Sequence, residues 1–169
     1  WSDIAVVNGS AFSSGGAGTA SMGIASGDFD KNTMLDLHIA NFQNESVCLY
    51  LNRGSFFQDR ATQYRLGVPS RSVLGFGSQA IDYDNNGQLD VAVTNGHIDN
   101  YKKMSGPFRQ MAQLFCNLGP RFELVPFADD SGYWAQPHLG RAMAKLDFNH
   151  DGRIDLAVTH LGETSALLK

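Results

Sequence analysis

Three segments of the chain repeat one pattern, and a chain that repeats folds as copies of one unit. They are GDFDKNTMLDLHIAN from Gly27, IDYDNNGQLDVAVTN from Ile81 and LDFNHDGRIDLAVTH from Leu146. Their opening aspartates, Asp28, Asp82 and Asp147, stand 54 and 65 residues apart. Gly23 and Gly77 each precede that aspartate by five residues, and Ala142 does so in the third copy. Downstream, LYLNRGSFF from Leu49 matches LFCNLGPRF from Leu114, which pairs Asn52 with Asn117 and Gly54 with Gly119. The longer second spacing is an insertion from His97 to Gln110.

Around the repeated loops the apolar period is two, the signature of strands. Strands are predicted over Leu35–Ala40, Val47–Leu51, Ser72–Ile81, Asp90–Thr94, Gln113–Cys116 and Asp155–Thr159. Arg109–Leu114 offers at most a turn or two of helix. About four short strands per repeat make the unit a β-propeller blade. The expected fold is therefore all-β: a propeller fragment of about three consecutive four-stranded blades, incomplete at both ends. Residues 1–18 read as the remnant of a preceding blade, 19–71 and 72–136 as blades, and 137–169 as the start of a third. Trp1–Gly9 aligns with Gln88–Gly96, so a strand is expected there too. Asp3 and Asp36 are only 33 residues apart, which implies residues missing between Asn8 and Thr19, or else a short irregular blade.

The loops between the strands are rich in oxygen donors. Positions 1, 3, 5 and 9 are Asp28, Asp30, Asn32 and Asp36; then Asp82, Asp84, Asn86 and Asp90; then Asp147, Asn149, Asp151 and Asp155. Position 7 offers the main-chain carbonyl of Met34, Gln88 or Arg153. Ca²⁺ takes six to eight oxygens in flexible geometry, and alternating donors on a tight loop suit it better than Mg²⁺. An EF-hand shares the opening pattern but needs Glu at position 12 between helices. Here position 12 is Ile39, Val93 or Val158, inside a strand. Gly87 and Gly152 permit a positive φ at position 6, where the first loop has Thr33. Metal-free Asp/Asn turns are the alternative, but nine carboxylates crowded three to a loop would repel one another. Two to three Ca²⁺ ions are expected.

Composition narrows the function classes. Thirteen Lys and Arg against 17 Asp and Glu give a formal charge of −4, which speaks against nucleic acid as partner. No apolar run is long enough for membrane insertion. No GxSxG elbow, HExxH helix or CxxC pair occurs. His38, His97, His138, His150 and His160 form no spacing with a carboxylate that implies catalysis. Cys48 and Cys116 are expected to be buried free thiols.

The ordered motifs ASMGIASGDFD from Ala20, LGFGSQAIDYDNNGQLDVAVTNGHID from Leu74 and HLGRAMAKLDFNHDGRIDLAVTHL from His138 resemble the FG-GAP/VCBS repeats of integrin-like propellers. The likeness is closer to bacterial proteins of the ASPIC/UnbV group, related to cartilage acidic protein. It covers nearly the whole chain. The resemblance implies an exported, calcium-stabilised propeller, commonly of seven blades, used in binding and adhesion. It also implies that each Asp-rich loop joins the first two strands of a blade. Thr33, Asn149 and His160 depart from the pattern, and the first two weigh on metal affinity rather than on fold.

No catalytic residue is assigned. The expected function is a noncatalytic module for protein binding or self-assembly, outside the cell or in the periplasm. A calcium-dependent carbohydrate-binding protein or a polysaccharide-active enzyme is the alternative. Candidate contact surfaces are the insertion His97–Gln110, with Tyr101, Lys102, Lys103 and Phe108, and the Tyr133–Trp134 pair with His138. Solvated connection and packing between blades are the alternatives for the two.

Overall fold

The computed structural model describes residues 1–100, 106–128 and 132–169. Four strands make the first sheet in the order β1 (Gly23–Gly27), β2 (Asp36–Ala40), β3 (Cys48–Asn52) and β4 (Phe57–Asp59). A one-turn helix α1 (Gly67–Ser70) leads to the second unit. There β5 (Gly75–Ile81) and β6 (Asp90–Asn95) precede a two-residue strand β7 (Gln110–Met111), then β8 (Gln113–Asn117) and β9 (Phe122–Leu124). The sheet order is β5-β6-β8-β9. A short 3₁₀ turn at Gly132–Ala135 leads to β10 (Pro137–His138), which pairs with β7. The third sheet is β11 (Gly140–Leu146), β12 (Asp155–His160) and β13 (Ala166–Leu168). All pairings are antiparallel, as consecutive strands joined by short connections require. The all-β expectation of consecutive propeller blades holds.

The three first hairpins share one register. Gly27 faces Asp36, Ile81 faces Asp90 and Leu146 faces Asp155, so each repeated loop closes between equivalent residues. The loops lie on one rim, and the connections from second to third strand lie on the other.

The blades stack through their innermost strands, β1 on β5 and β5 on β11. Glycine makes the close approach possible. A Cβ on Gly23 would lie 1.8 Å from the Phe76 carbonyl oxygen, and one on Gly77 would lie 2.4 Å from the Met143 nitrogen. Further out, Phe29, Leu49, Leu51, Val91, Phe115 and Phe122 form the core between the first two blades. Ile81, Leu114, Met143, Leu156 and Val158 form a second core, with Tyr133 and Trp134 packed against it. The reading of Tyr133–Trp134 as packing between blades therefore fits.

His38 is fully buried on β2, where the other blades have Ala92 and Ala157. Its Nδ1 lies 2.9 Å from Ser78 Oγ of the next blade, and Nε2 has no partner among the described residues. Burial pushes its pKa down to about 4.

One expectation is corrected. Trp1–Gly9 is not a strand: Asn8 N bonds back to Ile4 O, Ser10 N to Ala5 O, and Asp3 accepts from Ala5 N. These local bonds replace the ladder that a strand needs. Residues 8–19 continue as turns, bends and irregular chain, with Phe57 N donating to Asn8 O and Ser14 N to Asp59. Arg109–Leu114 has no helical turn; its residues enter β7 and β8, because the alternation of buried Gln110, exposed Met111 and buried Ala112 suits a ladder.

Two outcomes follow for stability. Gly77→Val forces backbone of the third blade away and should cost about 1–3 kcal/mol, read as a lower melting temperature. Gly18→Ala, with nothing within 4 Å of the added carbon, should leave it unchanged. The native protein keeps His38 neutral while the unfolded chain protonates it near 6.5. Stability is thus full above pH 6.5 and falls by about 3 kcal/mol as pH drops to 4. Denaturant unfolding across that range should show the slope, and His38→Asn should flatten it.

Candidate metal centres

Each loop folds on a grid of side-chain-to-backbone bonds that its aspartates dictate. At position 1, Asp28 accepts from Asn32 N and Thr33 N at 3.0 and 2.8 Å. Asp82 accepts from Asn86 N and Gly87 N at 3.0 and 2.9 Å, and Asp147 from Asp151 N and Gly152 N at 3.1 and 3.0 Å. At position 5, Asn32, Asn86 and Asp151 accept from the N–H of Met34, Gln88 and Arg153 at position 7. At position 9, Asp36, Asp90 and Asp155 accept from Phe29, Tyr83 and Phe148 at position 2.

Position 9 also fastens the loop to the sheet. Asp36 Oδ1 accepts from Asn52 N at 2.8 Å, and Asp90 Oδ1 from Asn117 N at 2.7 Å. Both aspartates are buried, and burial foremost raises their pKa, opposed by these backbone bonds. The repeat alignment pairs Asn52 with Asn117, which was the available sign of this brace, but sequence reasoning gave the pair no role.

The backbone is also the same in all three loops. Position 4 takes a positive φ at Lys31, Asn85 and His150 (58°, 58° and 59°). Position 6 does so at Thr33, Gly87 and Gly152 (70°, 80° and 83°). Thr33 thus adopts the glycine conformation at a strain that β-branched residues rarely bear. Sequence reasoning saw position 6 and missed position 4.

The carboxylates converge in two of the three loops. Ligand atoms of Asp28, Asp30 and Asp36 lie within 4.8 Å of one another, and so do those of Asp82, Asp84 and Asp90. Among the described residues no such group forms in the third loop. There position 3 is Asn149, which donates to Asp151 Oδ2, and Arg153 pairs with the same oxygen at 2.7 Å. Arg153 holds the Asp151 carboxyl well below the usual range. The donor sets of the first two loops are oxygen only, with three carboxylates each, which suits a hard divalent cation. Asp30 Oδ1 is buried without a hydrogen-bond partner among the described residues, an acceptor that a cation would satisfy.

A family model described as an FG-GAP-like repeat matches the chain from Asp28, which opens the first loop, to Val93 on the strand after the second. Over residues 28–93 the chain is similar to an FG-GAP-like repeat. No curated protein matches the chain. The FG-GAP match thus spans the two loops whose carboxylates converge.

The opposite rim carries a polar knot that sequence spacing did not reveal. His138 Nδ1 lies 3.3 Å from Glu163 Oε2, Nε2 lies 3.2 Å from the Tyr133 carbonyl, and the ring stacks on Tyr133 at 4.3 Å. Arg109 pairs with the same Glu163. Tyr133 Oη reaches His160 Nε2 at 3.1 Å. His160 Nδ1 in turn reaches Thr164 O, as Asn41 Nδ2 reaches Ser46 O and Asn95 Nδ2 reaches Met111 O. His160 does the work of the asparagine it replaces, and the knot ties the second blade to the third. In the insertion, His97 N donates to Phe108 O; Tyr101, Lys102 and Lys103 lie outside the described residues. Cys48 is a buried free thiol as expected, whereas Cys116 is a partly exposed one, 3.8 Å from Asp84.

The grid separates two roles. Asp90→Asn removes an acceptor from either the buried Asn117 N–H or the partly buried Tyr83 N–H and should cost about 1–3 kcal/mol even in chelator. Asp84→Asn should leave unfolding in chelator unchanged.

Proposed function

We propose that the chain is a noncatalytic, calcium-stabilised propeller module whose loops and rims bind a protein partner, in an exported protein of the ASPIC/UnbV kind. The observation that carries the calcium reading is the convergence of three carboxylates in each of the first two loops on a frame of backbone N–H bonds. In the first loop Asp28, Asp30, Asn32, Asp36 and the Met34 carbonyl would hold the ion. The second would use Asp82, Asp84, Asn86, Asp90 and the Gln88 carbonyl. Asp147, Asn149, Asp151, Asp155 and the Arg153 carbonyl make a third, weaker set. Bound Ca²⁺ supplies positive charge that relieves repulsion among the aspartates; it serves stability rather than chemistry. Three ions would turn the formal charge of −4 into +2. The coarser function, an interaction domain, is supported by the FG-GAP-like repeat, since propellers leave loops on two rims for partners.

A cleft of about 410 Å³ between the second and third loops favours carbohydrate as a second reading. Tyr83, Phe127 and Trp134 line it beside Asn85, Asp151 and Arg153. Aromatic faces next to polar side chains suit a sugar ring.

At affinities of about 0.1–1 mM, millimolar Ca²⁺ adds roughly 0.4–1.4 kcal/mol per site. Melting of chelator-stripped protein should rise by a few degrees when Ca²⁺ is restored, and Asp82→Asn should blunt the rise. Unchanged melting with no calorimetric binding would contradict the reading. Glycan-array binding abolished by Trp134→Ala would favour the carbohydrate alternative over the protein partner.

A further inference from the structure

The first and second loops share one frame but differ in one cation. Arg53 stands in the turn between β3 and β4, flanked by Asn52 and by Gly54 at φ 84°. Leu118 stands in the same turn of the next blade, flanked by Asn117 and by Gly119 at φ 86°. The two turns even share a hydrogen bond, from Arg53 N to Phe56 O and from Leu118 N to Arg121 O. Arg53 Nη1 reaches Asp30 Oδ2 at 2.6 Å, with the two side chains only 33% and 11% exposed. Leu118 offers Asp84 no charge. Lys31 extends toward Gly87 in the second loop, yet among the described residues no ion pair joins it to that loop's carboxylates.

We infer that Arg53 is a built-in counter-cation of the first loop, holding Asp30 when no metal is bound and weakening that loop's Ca²⁺ affinity relative to the second. The inference rests on the calcium reading above. Partial burial is what gives the pair its weight, because screening is reduced there. A guanidinium on one oxygen of Asp30 offsets one of three negative charges and leaves Oδ1 without a partner among the described residues. Calcium still gains from this loop, but it must displace or face a cation already in place. The second loop presents three carboxylates and no arginine, so it depends on metal more and binds it more tightly. Arg153 in the third loop is a weaker competitor: its side chain is 78% exposed, and surface pairs of that kind contribute little. Loading is therefore graded, with the second loop filled at the lowest calcium. The first blade keeps its loop in order where calcium is scarce.

The test exchanges the two residues. Chelator-stripped protein carrying Asp82→Asn and Asp147→Asn, which silence the other loops, is titrated with CaCl₂ by calorimetry, and folding of each variant is checked by circular dichroism. Adding Arg53→Leu or Arg53→Gln should raise first-loop affinity about tenfold and lower the melting temperature in chelator. Leu118→Arg in otherwise unaltered protein should weaken second-loop binding by a similar factor and raise melting in chelator. Binding that ignores both Arg53 variants and Leu118→Arg overturns the counter-cation role and leaves the calcium reading standing. Absence of calcium binding by the unaltered protein overturns the calcium reading and the tuning with it.

Discussion

Each oxygen of Asp36 and Asp90 takes a backbone N–H from a different place. One oxygen accepts from the second residue of the loop and the other from the end of the third strand. That double bond to the backbone decides where the loop can go, because it fixes both ends of the loop against the sheet. Burial alone would drive these carboxyls toward the neutral form, since a charge without water is costly. The N–H donors offset that cost and leave the aspartate able to stay charged beside two others. The other aspartates then converge because the loop has no freedom to spread them.

The loops are also part of the contact between blades. Phe29, the residue after the first opening aspartate, is fully buried and meets Phe122 of the next blade edge-on at 6.1 Å. Asn117 Nδ2 donates both to Phe29 O of the first loop and to Leu89 O of the second. A charge that settles the loop therefore settles the stacking as well. On the inner edge the same stacking depends on glycine, where Gly23 and Gly77 let backbone meet backbone. The third blade has Ala142 at that position and leaves it exposed. On the opposite rim the His138–Glu163–Arg109 knot fastens the second blade to the third without any loop aspartate.

Much of this was legible in the residues because the constraints repeat. Period-two alternation after each loop marks β2, β6 and β12 within a residue, and the aligned aspartates mark the carboxylates that the first two loops bring together. Where a segment stands alone, pattern was a poorer guide. Trp1–Gly9 carries the alternation of β6, but alternation expresses a preference and only a neighbouring strand makes a ladder. The convergence of the third loop was overestimated: Arg153 was considered only for its carbonyl, while its side chain takes Asp151. Arg53, Glu163 and the position 4 backbone were missed for a different reason. Each acts through a tertiary or conformational relation that no local spacing encodes.

The second loop is proposed as a calcium cage built on Asp90. Diffraction from crystals grown in calcium, with anomalous difference maps, tests it directly. An anomalous peak is expected in that loop, about 2.3–2.6 Å from oxygens of Asp82, Asp84, Asn86 and Asp90 and from the Gln88 carbonyl. A loop ordered in millimolar calcium with only water, or no density, among those oxygens would contradict it.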